Sequence, residues 1–124
     1  MSRNPEQRIF DILQGIDRCQ RYVGALGSDN KDVVMMAEDA IERNLQIIGE
    51  AANHLTAEIT DAHPEIAWPQ IRGFRNLLVH QYFGVDTDVV REVVGTYLPP
   101  LAESLRRHVA TEGSAAPQLR SDNS

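Results

Sequence analysis

At 124 residues the chain has the length of one domain, and 42% hydrophobic with 24% charged residues is globular material with enough apolar content for a core. A net charge of −6 excludes a broad basic surface for nucleic acid, so any polynucleotide must meet a compact cationic cleft or one completed by a second subunit. The single cysteine, Cys19, excludes a disulfide framework and a thiolate-rich metal site. No apolar run approaches the ~18 residues of a membrane span and the first residues, MSRNPEQRIF, lack a signal-peptide core; the expectation is a soluble, cytoplasmic protein.

A first helix is predicted to start at Asn4-Pro5-Glu6-Gln7, which offers a capping side chain, a proline at the first helical position and a glutamine three residues after the cap. Ile9, Ile12, Leu13, Ile16, Cys19 and Val23 recur at three and four, one buried face that gives way to turn residues near Gly24. A second helix is predicted from residues 29–32 to about Ala57. Its seam is Val34, Ala37, Ile41, Leu45, Ile48, Ala52 and Leu55, and it reads as the central pillar of a bundle. Gly49 inside it costs about 1 kcal/mol relative to alanine, which fits a place where another helix crosses closely. Glu50 reads as a solvated carboxylate or an arginine partner.

Residues 61–69 read as a connector, with Trp68 as an anchor plugging the end of the bundle and Pro69 in the first turn of a third helix. That helix is predicted to stop near Gly84. Asp86, Thr87 and Asp88 can cap a fourth helix, carried by Val89, Val90, Val93, Val94, Tyr97 and Leu98, and Pro99-Pro100 predicts a kink or break before Leu101, Leu105 and Val109 resume the stripe. Tyr22 and Tyr97 read as amphipathic residues at the core edge. Residues 111–124, TEGSAAPQLRSDNS, are polar and unpatterned and predict a disordered tail beyond a domain of residues 1–110. The fold class predicted is all-α, an up-and-down bundle of four to five helices.

The third helix, IRGFRNLLVHQYFG over residues 71–84, is where chemistry gathers. Ile71, Phe74, Leu77 and Leu78 form a core stripe, while Arg72, Asn76 and His80 fall opposite, with Arg75 on the flank and Tyr82 in the adjacent row. The four histidines, at 54, 63, 80 and 108, include no i, i+4 pair, so no metal centre or other cofactor is expected. No glycine-rich phosphate loop or nucleophile elbow is present either. What remains is acid/base work by His80 beside Arg75. That suits RNA cleavage, where the 2′-hydroxyl attacks its own phosphate, an imidazole moves protons and a guanidinium stabilises the phosphoryl charge. By spacing alone, a single helical histidine is more often a surface residue than a catalytic one.

The run Arg75-Asn76-Leu77-Leu78-Val79-His80-Gln81-Tyr82 resembles the motif of the HEPN superfamily, Arg then four residues then His, in the form with Tyr two residues later that is typical of HepT toxins. ERNLQIIGEAA, residues 42–52, and AWPQIRGFRNLLVHQYFGV, residues 67–85, resemble that family's second and third helices. The resemblance implies a homodimeric, metal-independent endoribonuclease, the toxin of a type VII-like toxin–antitoxin pair. Arg75 and His80 would be catalytic, with Asn76 and Arg72 supporting. It also implies a cognate MntA-like nucleotidyltransferase antitoxin that transfers AMP to Tyr82. A non-catalytic HEPN module that binds such a partner or a nucleotide predicts the same fold and differs only in lacking turnover. A plain helical dimerisation domain would instead leave Arg75 and His80 open to substitution.

Overall fold

The computed structural model describes residues 4–76 and 87–123, with side chains to Thr111. The architecture is all-helical, with no strand among the described residues: α1 (Pro5–Tyr22), α2 (Lys31–Asn53), α3 (Ala57–Ala62), α4 (Trp68–Arg72) and α5 (Thr87–Asn123), plus 3₁₀ turns at Val23–Gly27 and Gly73–Asn76. Helix α1 opens with the reciprocal cap foreseen for it. Asn4 Oδ1 accepts from the Gln7 amide at 2.8 Å and Gln7 Oε1 accepts from the Asn4 amide at 3.2 Å, so two otherwise orphaned donors are satisfied. Ile9, Ile12, Ile16 and Cys19 are buried on its inner stripe, with Leu13 and Val23 packed at the edge.

Helix α2 is the pillar. α1 lies along it, α4 and the Gly73–Asn76 turn pack on it, and α5 packs mainly against α1. Asn30 caps it by accepting from the Asp32 amide at 2.9 Å. Ala37, Ile41, Leu45, Ile48 and Ala52 are buried as their spacing demands, while Val34 is half-buried. The helix ends at Asn53, short of the expected Ala57. Thr56 is a competing N-cap: its hydroxyl accepts from the Ile59 amide at 3.4 Å and starts α3 where α2 was expected to end, so that α3 runs into the first residues of the expected connector. Leu55 keeps its buried place outside the helix.

Trp68 does close the bundle end. Its ring is buried and its indole N–H is shared between the Thr60 and His63 carbonyls at 3.2 and 3.0 Å, tying the end of α3 to the start of α4. Tyr22 and Tyr97 sit partly buried against the core.

Two expectations for the last helix change. No break occurs at Pro99-Pro100: α5 runs through both. Both prolines are exposed, as are Gly95 and Thr96, whose carbonyls lose their helical donors and can be solvated, while Leu98, Leu101 and Leu105 are fully buried on the inner side. The backbone then continues as helix to Asn123 through residues expected to be an irregular tail. Extending an existing helix avoids the nucleation cost that a polar segment would face alone.

Candidate functional site

The site is built on Gly49. A Cβ added there would lie 2.6 Å from the Arg75 amide nitrogen, 2.9 Å from the Ile71 carbonyl oxygen and 3.0 Å from Phe74 Cβ. Only the missing side chain lets this backbone rest directly on α2. Ile71 and Phe74 anchor the crossing in the core, Phe74 with its ring edge-to-face on Tyr97 at 5.8 Å. The segment expected as one helix tightens into the 3₁₀ turn Gly73–Asn76 as it passes over Gly49.

With Phe74 turned inward, Arg75 is left at the surface. Its NH1 lies 4.0 Å from Glu50 Oε2, with both side chains about half exposed. Glu50 is thus the arginine partner that was one of its two readings, and it borders a cleft of about 270 Å³ between α1 and α2 lined also by Arg8 and Arg43. Arg72 is half-buried with a buried Nε that has no hydrogen-bond partner, and Asn76 is exposed. The structure therefore places Arg72, Arg75 and Asn76 on one short run over α2, whereas His80 and Tyr82 fall outside the described residues.

Arg8 and Arg43 were not singled out from the sequence. Each is an ordinary polar-face residue of its own helix, and only the packing of α1 on α2 brings them to the cleft beside Glu50. A second polar cluster was likewise hidden. His63 Nε2 lies 3.0 Å from His108 Nδ1, and Glu65 accepts from the Ser104 hydroxyl at 2.8 Å with Arg107 3.8 Å away. The hydrogen bond from its own backbone amide, then that from Ser104, holds the Glu65 carboxyl below the ordinary carboxylate value. Among the described residues, no group of three or more His, Cys, Asp or Glu is placed to hold a metal ion. No described helix is long and apolar enough to cross a membrane.

The sequence profile described as "Ribonuclease HepT-like" matches residues 12–108, a span that takes in the Gly49 crossing, Arg75 and the second histidine cluster. The chain belongs to the HepT-like ribonucleases. Relatives agree with the assignment. A protein of Caldanaerobacter subterraneus subsp. tengcongensis, provisionally named an RNase, is 34% identical over 89% of this chain and 98% of its own length. A protein of Thermococcus cleftensis named "Probable ribonuclease HepT" is 30% identical over 86% of this chain and all of its own. A Methanocaldococcus jannaschii protein, named as a gamma-glutamylcyclotransferase and provisionally as an RNase, is 32% identical over 76% of this HepT-like chain, which spans 42% of that longer protein. No solved structure matches the chain at a significant level.

Proposed function

We propose that this HepT-like chain is a metal-independent RNA endonuclease and the toxin of a toxin–antitoxin pair, acting as a homodimer whose two Arg75/His80 motifs face one cleft. Family membership together with the surface placement of Arg75, on a backbone pinned over Gly49, carries the reading. An imidazole accepts the proton of the substrate's 2′-hydroxyl as the oxygen attacks the adjacent phosphorus; a cyclic 2′,3′-phosphate forms and the 5′-oxygen leaves, taking a proton from an imidazolium. The two His80 rings of the dimer divide these transfers, a contribution of roughly 10²- to 10⁴-fold. Arg75 neutralises charge growing on the phosphoryl oxygens, and Arg72 and Asn76 hold the phosphate.

The same reading assigns the silencing step. A cognate MntA-like nucleotidyltransferase transfers AMP from ATP to the Tyr82 oxygen, releasing pyrophosphate. The new phosphodiester and adenosine then compete with RNA for Arg75 and obstruct the cleft.

Inducing the chain alone, beside folded His80→Ala and Arg75→Ala variants at equal level, tests this. Growth arrest with RNA breakdown by the parent only is expected. Equal growth and intact RNA in all three, with an intact mass showing unmodified Tyr82, overturns catalysis in favour of a HEPN module that only binds its partner.

A further inference from the structure

Beyond Arg75, the polar surface between α1 and α2 is organised as a groove. The cleft beside Glu50 shares Asp11 and Ile47 with a second cleft of about 270 Å³, which extends along the same helices to Arg18. From Arg8 to Arg18 the groove follows ten residues of α1, about 15 Å, or roughly four nucleotides of a strand stacked at ~3.4 Å per step.

Its cations differ from three other arginines on this acidic surface. Arg21 sits 3.0 Å from Asp17, Arg91 3.5 Å from Asp88 and Arg107 3.8 Å from Glu65, so each is neutralised locally. The Arg18 and Arg43 side chains are exposed and, among the described residues, engaged in no hydrogen bond or ion pair. Arg8 is half-buried with its Nε shielded from water and without an acceptor, an arrangement that costs free energy until an oxygen arrives. Asn44, 5% exposed, lines the second cleft. Its Nδ2 donates to the Ala40 carbonyl at 2.8 Å while its Oδ1 is buried without a partner, a spare acceptor for a ribose hydroxyl or a base amino group.

We propose that this groove carries single-stranded RNA to Arg75, with Arg8, Arg18 and Arg43 binding the phosphates that flank the cleaved bond. The inference rests on the ribonuclease reading. Guanidiniums suit it, because their planar donors match phosphate oxygens, and their distribution over two adjoining clefts, Arg8 and Arg43 in the first and Arg18 in the second, suits a strand better than a compact ligand. Two carboxylates, Asp11 and Glu50, share the groove and keep its charge modest, which limits binding to ligands that engage several arginines at once.

The test measures binding and turnover separately on the full chain. A fluorescent single strand, 2′-O-methylated so that it cannot be cleaved, is titrated by anisotropy over a range of salt, and KM is measured on the unmodified strand. Each of Arg8→Ala, Arg18→Ala and Arg43→Ala is expected to weaken binding roughly 2- to 5-fold. Each should also make the slope of log K against log salt shallower by about 0.7. Arg106→Ala, an exposed arginine on α5 outside the groove, is expected to change neither. Because Arg8 also packs, Arg18→Glu/Arg43→Glu at exposed positions gives an independent reading, with a circular-dichroism melt to verify folding. If the parent cleaves RNA and the groove variants bind and cleave as it does, the groove assignment falls while the nuclease reading stands. If the parent binds through these arginines but does not cleave, the ribonuclease reading falls and the groove stands as a binding surface. Equal losses in Arg106→Ala would also overturn it, since the effect would then be one of overall charge.

Discussion

The Arg75 amide nitrogen lies 2.6 Å from the point where a Cβ on Gly49 would stand, so the candidate catalytic arginine is positioned by an absent side chain on another helix. Gly49→Ala removes that space. Alanine improves helix propensity by about 1 kcal/mol, but its methyl meets the Arg75 nitrogen and the Ile71 oxygen, backbone atoms that cannot rotate away as a side chain would. We expect a net destabilisation of roughly 1–3 kcal/mol by denaturant unfolding, with RNA cleavage falling further than the loss of folded protein explains. A variant as stable and active as the parent would show that the crossing is not held this closely.

Glu50 faces Arg75 across 4.0 Å with both side chains about half in water. Glu50→Gln is expected to shift stability by no more than about 0.5 kcal/mol, because exposed ion pairs contribute little. It removes an anion that competes with phosphate for the guanidinium. RNA affinity should therefore rise, roughly 2- to 5-fold at low salt and less at high salt. Weaker binding would mean that the carboxylate orients Arg75 rather than competing for it.

Burial pushes the Cys19 thiol up to about 12, and its Sγ lies 3.8 Å from the Ile41 carbonyl in the α1–α2 core. The thiolate, the reactive form, is nearly absent at pH 8. The native protein should resist iodoacetamide at that pH and react at one site once unfolded. Rapid labelling of the folded chain would place Cys19 nearer the surface.

The Glu65 carboxyl is held below its ordinary value by its own backbone amide and then by Ser104. A carboxylate with a lowered folded pKa contributes stability above the unfolded value of about 4.5 and loses it as pH falls through the folded value. Ser104→Ala removes the second of these hydrogen bonds. The Glu65 titration, followed by NMR, should move up toward the ordinary value, and the acid unfolding midpoint should shift to higher pH. An unchanged titration would exclude Ser104 as a cause.

Pro99→Ala/Pro100→Ala restores two helical amide donors on the solvent side of α5 without touching Leu98 or Leu101 in the core. Interior proline costs about 3 kcal/mol relative to alanine in a free helix. Since α5 already runs through both residues, a gain of at least about 1 kcal/mol is expected from the unfolding midpoint. Loss of stability would assign the pair a packing role.

Much of this fold was legible because its signals are local. The capping box at Asn4, the three-and-four spacing of Ile9 to Cys19 and the seam from Ala37 to Ala52 depend on residues within one or two turns of each other. Gly49 belonged with them: an interior glycine in an apolar seam announces a crossing even before its partner is known. The readings that failed were competitions. Thr56 prevailed over the α2 periodicity for a helix start, and at Pro99-Pro100 the break, one of the two outcomes expected beside a kink, was outweighed by the buried leucines around it.

Helix periodicity and motif spacing are written in consecutive residues, so the all-α class and the HepT-like Arg-to-His motif can be read from the chain alone. Which residues of other helices stand beside Arg75, and which polar groups meet elsewhere in the bundle, is set by packing. Glu50 meets Arg75, Arg8 and Arg43 line the neighbouring cleft, and His63 meets His108 across 45 positions of sequence. The physical reason is that burial is nondirectional. It fixes that two helices pack, whereas the side chains along their edges, and the missing one at Gly49, set where they meet and which charges are left facing the site.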